Sequence, residues 1–358
     1  MNKVILLAAL VLLVVIVGGG IWFLNAMQQP LYEPGMVRAG KNLRAPLTPP
    51  PQSAPQDFWN AESDIRLHYF ADGAGAHVLV VHGGPGFPFT QPVPGLQALT
   101  TGYKFYYYDQ RGSGKSSRPI DKFASSNYYE NTQTLDKALG IGAQIADIER
   151  IRQILGDDKI ILVGHSFGGF LAALYAAEFP ERVRALILVA PAEVLLMPPA
   201  SGGLFEQVKP LLPDTLRPEY AAYLKRYLDY GAIFSKSEAE LVSLNTEFAR
   251  YYTVAANQNG FAVPASSQPT EAGGWMVHAL YISMGQRHDY RAALKAVNAP
   301  ALVIHGERDL QPAEASRMYA DLLPHVEFHV IPNAGHFVFN DQPEAFARVV
   351  GAFLGRIK

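Results

Sequence analysis

Gly164-His165-Ser166-Phe167-Gly168 stands between an apolar run, Lys159 to Val163, and a run of small and apolar residues, Phe170 to Phe179. Strand, tight turn and helix in that order form a sharp elbow that lifts a serine hydroxyl above a parallel sheet. The glycines beside the serine leave room for the strand-to-helix crossing, and Gly168 and Gly169 let the helix lie close on its neighbours. Ser166 is therefore the candidate nucleophile. The same pentapeptide also occurs as an ordinary Gly-rich turn, so its weight depends on the rest of the chain.

Working outward, short apolar stretches alternate with helical ones from Ile65 onward, the pattern of a mostly parallel sheet covered on both faces. Expected strands are Ile65 to Phe70, His77 to Val81, Lys104 to Tyr108, Ile160 to Val163, Ala185 to Val189, Ala301 to Ile304 and Glu327 to Ile331. Ile141, Ile145, Ile148, Ile151 and Leu155 recur at helical steps and stop at Gly156, and a closing helix is expected from Pro343 to Ile357. Residues 192–299 break the rhythm. They show no strand alternation and carry helical segments rich in Tyr and Leu, Glu219 to Tyr230 and Ser237 to Tyr251, so they read as a helical lid inserted between core segments 57–191 and 300–358.

A serine hydroxyl is a poor nucleophile near neutral pH and needs a base, with a third group to orient that base. Asp309 falls in the turn after the strand Ala301 to Ile304, and His336 falls in the loop after the strand ending at Ile331. Both turns are expected at carboxyl ends of strands, where open α/β sheets bind ligands. The chain order is Ser166, Asp309, His336. Glu307 competes as the acid but stands earlier in its turn, and His305 and His165 compete as bases from a strand end and from the elbow itself. For the oxyanion that develops during acyl transfer, the backbone N–H of Phe167 is one donor; the second is expected from His82-Gly83-Gly84-Pro85-Gly86, with Gly84 as donor and a cis Gly84–Pro85 bond.

Gly112-Ser113-Gly114-Lys115-Ser116 is not a phosphate-binding loop, because Asp109 occupies the place of the first required glycine. Asp109 to Ser117 reads instead as a structural loop beside the pocket, with Asp109 and Arg111 in a buried polar network. The chain of 358 residues is 49% apolar with a net charge of −2, enough to bury one large core and without the basic surface that nucleic acid requires. It has no cysteine, which removes disulfides and thiolate chemistry, and no H-E-x-x-H; His325 and His329 read as solvent-facing residues of a strand, so neither a metal nor another cofactor is expected.

Val4 to Leu24 is apolar and uncharged, long enough to cross a hydrocarbon layer of about 30 Å. Residues 1–27 are read as a membrane anchor, or alternatively as a signal peptide cleaved near Ala26. Lys3 favours an N-inside orientation, diluted by Arg38, Lys41 and Arg44 on the other flank. Both readings put the folded part outside the cytoplasm, in a periplasmic or extracellular location, either anchored or secreted. Residues 28–56 are rich in proline and lack an apolar period, which predicts an extended linker, a stalk between bilayer and domain.

With these residues in place, the chain resembles the α/β-hydrolases, and among them the proline iminopeptidases. His82-Gly83-Gly84-Pro85-Gly86 matches that family's oxyanion motif, and Asp109-Gln110-Arg111-Gly112-Ser113-Gly114-Lys115-Ser116 matches its D-Q-R-G-x-G-x-S segment. The likeness covers about Ile65 to Leu354. It implies an α/β-hydrolase fold, a mostly parallel sheet flanked by helices with an inserted lid, with attack by Ser166, base catalysis by His336 and orientation by Asp309. The elbow departs from the family's G-G-S-W-G, and an aminopeptidase needs carboxylates for the substrate amine; Glu193, Glu206, Glu219, Glu247 and Glu271 are the acids available in the lid. The resulting expectation is a serine hydrolase acting on a short peptide as an iminopeptidase-like aminopeptidase. The alternatives are an esterase or amidase on small hydrophobic acyl groups and a catalytically silent, membrane-tethered binding module.

Overall fold

The computed structural model describes residues 28–53, 57–264 and 271–357. Among the described residues, ten strands run β1 (Phe58–Asn60), β2 (Arg66–Gly73), β3 (Ala76–Val81), β4 (Tyr103–Tyr108), β5 (Ile160–His165), β6 (Val183–Val189), β7 (Leu196–Met197), β8 (His288–Asp289), β9 (Ala301–Gly306) and β10 (Val326–Ile331). The principal helices are α1 (Tyr128–Leu139), α2 (Ile141–Leu155), α3 (Phe167–Glu178), α4 (Arg217–Tyr227), α5 (Glu238–Gln258), α6 (Trp275–Met284), α7 (Ala313–Leu322) and α8 (Pro343–Leu354).

Eight strands form one sheet in the order β1-β2-β4-β3-β5-β6-β9-β10. Within this sheet, among the described residues, only the pairs β1–β2 and β2–β4 are antiparallel, and the pairs from β4 across to β10 are parallel; β7 and β8 form a separate antiparallel pair. Every residue of β5 and β9 is buried, as expected of parallel strands covered on both faces. The helix α3 is apolar nearly all round, with Phe170, Leu171, Leu174 and Tyr175 fully enclosed, and so lies inside the molecule rather than on its surface. Its neighbour α2 ends where the sequence suggested, at Gly156 in the left-handed conformation (φ 75°). The edge strand β1 and the helices α1 and α6 escaped the sequence reading, because each is short or lacks a clean apolar period.

The order of strands decides where loops can meet. From β3 the chain crosses to β4 on one side, then returns to β5 on the other, so the loops after β3 and β5 leave in opposite directions and open a crevice at the carboxyl ends of these strands. Ser166 follows β5 and Gly83-Gly84 follow β3.

The proline-rich segment corrects the expectation of a free stalk. Residues 28–53 lie on the body of the molecule, with Tyr32 and Val37 buried. Glu178, at the last turn of α3, accepts from Tyr32 Oη (2.9 Å) and from the N–H groups of Gly35 (2.7 Å) and Arg38 (3.1 Å). Arg150 donates to the carbonyls of Ala45 and Pro46, and Gln153 to that of Leu47. A proline-rich chain makes few internal hydrogen bonds, so its polar backbone is free to be satisfied by core side chains, an outcome that local composition does not reveal. Among the described residues no helix is long and apolar enough to cross a membrane; the expected span from Val4 to Leu24 lies outside them.

Candidate active site

Ser166 sits at φ 54°, ψ −122°, a conformation that side chains other than glycine rarely adopt and that the elbow imposes. Surrounding bonds hold it there: its N–H donates to Val189 O (3.0 Å), and its carbonyl accepts from Gly169 (2.9 Å) and Ala192 (3.0 Å). The crossing leaves no room for side chains. A Cβ on Gly168 would collide with the carbonyl oxygens of Val81 and His82, and one on Gly83 would lie 2.7 Å from Ser166 Cβ.

The turn after β9 and the loop after β10 bring Asp309 and His336 together. His336 Nδ1 is 2.8 Å from Asp309 Oδ2, and the Asp309 side chain is fully buried. An ionised carboxylate only accepts, so the proton belongs on Nδ1 and leaves Nε2 as the basic nitrogen. His336 and Ser166 line the same cavity. No hydrogen bond joins Ser166 Oγ to the imidazole among the described residues, and catalytic hydrogen bonds in unliganded sites are often long and tighten only with substrate. The competing groups are turned elsewhere: Glu307 accepts from Asn333 N (2.9 Å) and His305 Nδ1 faces Ser316 Oγ (2.9 Å). His165 lines the same cavity, but its Nε2 donates to the His336 carbonyl (3.0 Å). Burial, reinforced by His336 itself, holds the His165 imidazole well below its ordinary pKa.

Gly84 has φ 117° and its bond to Pro85 is cis, as the sequence suggested. Among the described residues neither the Gly84 nor the Phe167 N–H donates to a backbone acceptor, and both residues line a cavity that reaches Ser166. The loop Asp109 to Ser117 buttresses this turn. Gln110 donates from its backbone to His82 Nε2 (3.1 Å) and from its amide to His82 O (2.7 Å), and burial lowers His82 to about 4, so its ring is a neutral structural link. Asp109 and Arg111 are buried as expected: Asp109 binds His68 and Lys115 N, and Arg111 binds Asp147 and Glu62.

Two cavities flank the serine, of about 90 Å³ and about 160 Å³. They share Gly84, Phe87, Ser166, Leu204 and Phe248, and their walls are mostly aromatic and aliphatic. Among the described residues that line them, Glu193 is the one carboxylate, in the second cavity, where Ser201 Oγ donates to it. The other candidate lid acids lie elsewhere: Glu219 pairs with Arg250 and Glu247 with Arg226, while Glu206 and Glu271 are exposed. Among the described residues no group of three or more His, Cys, Asp or Glu is placed to hold a metal ion.

Two supporting residues escaped the sequence reading. Gln311 Oε1 accepts from Glu193 N–H (3.0 Å), and its amide nitrogen lies 3.4 Å from His336 Nδ1. Asp341 accepts from Gly335 N (2.8 Å) and fixes the histidine loop. Gln311 stands two residues after Asp309, a local hint; nothing local marks Asp341.

The alpha/beta hydrolase fold family matches residues 76–343. The chain belongs to the alpha/beta hydrolase family. This hydrolase is 28% identical over 302 residues to a proline iminopeptidase of Heyndrickxia coagulans, covering 80% of this chain and 93% of the relative. Its fold is similar to that of a thermophilic esterase from Thermogutta terrifontis (TM-score 0.52, 22% identity, 82% of this chain and 94% of the other). It is similar also to a bacterial membrane phospholipase A (TM-score 0.53, 21% identity, 99% of each chain). The mostly parallel sheet, the flanking helices and the resemblance to proline iminopeptidases thus stand together, and the protein is a hydrolase.

Proposed function

We propose that the hydrolase works through a Ser166-His336-Asp309 triad and an acyl-enzyme, and that its substrate is a carboxylic ester of a hydrophobic acyl group. The observation that carries this reading is the convergence of Ser166 and His336 on one apolar cavity, with Asp309 buried behind the ring at 2.8 Å. His336 Nε2 takes the Ser166 proton as Oγ attacks the acyl carbon, and Asp309 steadies the imidazolium. The N–H groups of Gly84 and Phe167 receive the oxyanion; one such donor contributes about 3 to 4 kcal/mol to the transition state. His336 then protonates the leaving alcohol, and water, activated by the same ring, releases the acid.

The acyl-ester reading is favoured because both cavities are predominantly apolar and the carboxylate that lines them is already engaged by Ser201. A second reading, an iminopeptidase-like aminopeptidase, is supported by the relative from Heyndrickxia coagulans and by Glu193 itself, which could meet a substrate amine. Turnover of p-nitrophenyl butyrate against proline naphthylamide separates the two; a naphthylamide-only profile removes the ester reading. Absence of fluorophosphonate labelling in folded protein would remove both and leave a binding module. Residues 1–27 are proposed to anchor the chain in a membrane with the catalytic part outside the cytoplasm, on the strength of the uncharged run Val4 to Leu24.

A further inference from the structure

We infer that residues 28–47 hold one wall of the catalytic cavity against the bilayer that carries Val4 to Leu24, so that the enzyme draws its esters from that bilayer. The inference rests on the acyl-ester and membrane-anchor readings together and names the substrate class within them. At its start the strap is bonded to the lid: Gln28 O accepts from the N–H groups of Gln286 (2.9 Å) and Arg287 (3.1 Å), and Leu31 and Tyr32 both donate to Ser283 O (2.9 and 3.1 Å). A Cβ on Gly285 would come within 2.7 Å of Gln29 O, so the two backbones are packed as tightly as glycine allows. These lid residues close the helix α6, whose Val277, Tyr281 and Met284 line the second cavity.

Further along, the strap grips the other side of the site. Glu178, which accepts from Tyr32, Gly35 and Arg38, ends the helix that Ser166 begins. The strap therefore joins the lid wall to the nucleophile helix as one body. Four residue steps separate Leu24 from Gln28, at most about 14 Å of extended chain. A bilayer spanned by Val4 to Leu24, as proposed above, would lie within that reach of the lid end of α6. An ester dissolved in such a bilayer meets the enzyme at high local concentration, an advantage that a freely diffusing peptide does not share.

The test uses the full chain in phosphatidylcholine vesicles and two substrates, water-soluble p-nitrophenyl butyrate and a fluorogenic long-chain acyl ester dissolved in the same vesicles. Ten Gly/Ser residues inserted between Met27 and Gln28, a segment of about 17 Å root-mean-square span, lengthen the tether and leave strap and site untouched. The expected result is unchanged butyrate turnover with about tenfold slower cleavage of the embedded ester. Equal cleavage of the embedded ester by both forms overturns the inference, as does a chain that washes off the vesicles in high salt. Failure of the unmodified protein to cleave butyrate would instead overturn the acyl-ester reading.

Discussion

The sheet's carboxyl edge and the lid above it are built by opposite means. At the sheet edge, position is set by backbone: glycines pressed against carbonyls, Ser166 at φ 54°, and histidines whose second nitrogens are tied to main-chain or carboxylate groups. In the lid, position is set by packed aromatic rings. Phe205, Tyr220, Tyr223, Tyr227, Phe248 and Tyr251 contact one another at centroid distances of 5.0 to 6.4 Å, and the phenol of the buried Tyr223 has no hydrogen-bond partner among the described residues. The lesson is a division of labour. On the acyl-ester reading proposed above, the sheet edge would supply chemistry common to all acyl compounds, and the apolar lid would decide which of them arrives.

If that division holds, damage at the sheet edge should fall equally on all substrates. Replacing Ser166 by Ala should lower kcat about a millionfold and abolish fluorophosphonate labelling while the thermal melt is retained. Asp309→Asn should cost about 10⁴ in kcat with KM little changed, whereas Glu307→Gln should retain activity. An equal loss in the Glu307 variant would mean that the acid has been misassigned.

The next largest effect is on stability. Arg111 and Arg150 share the buried carboxylates Glu62 and Asp147, so Arg111→Ala should cost about 3 to 5 kcal/mol in chemical denaturation by leaving buried negative charge uncompensated. Acid should act in the same direction. Burial lowers His82 and His278 from 6.5 to about 4 and pushes His165 well below 6.5. The unfolded chain therefore binds protons that the folded chain refuses, and their contribution is intact above pH 6.5 and lost as pH falls toward 4. A melting temperature that rises on acidification through this window would contradict the neutral state of these rings.

Lid changes should be smaller and selective. Phe248 lines both cavities; its truncation to Ala should raise KM for long acyl esters about tenfold while leaving kcat for the shortest esters nearly unchanged. A uniform loss of kcat across chain lengths would break the comparison, since it would place part of the chemistry in the lid.

Much of this was legible in one dimension. The elbow, the strand-end Asp309 and His336 and the turn at Gly84 are each announced by local residue types, because strand, turn and helix propensities act over a few neighbours. Gln311, Asp341 and the clamp on Glu178 were not. They act on groups that local residue types do not mark: Asp341 on the nearby Gly335, Gln311 on the distant Glu193 and His336, Glu178 on residues more than a hundred positions earlier.

The amino-acid sequence by itself determined the alternation of strands and helices, the identity and order of Ser166, Asp309 and His336, and an uncharged N-terminal run, since periodicity and turn chemistry are local properties. Only tertiary structure decided that Glu193 is the lid acid at the cavity, that His165 supports the histidine loop, and that the proline-rich segment is a strap. The physical reason is the range of the interactions. Hydrogen bonding and burial across the fold depend on which distant backbone groups are left without partners, and that is settled only when the sheet, the helices and the lid have closed around them.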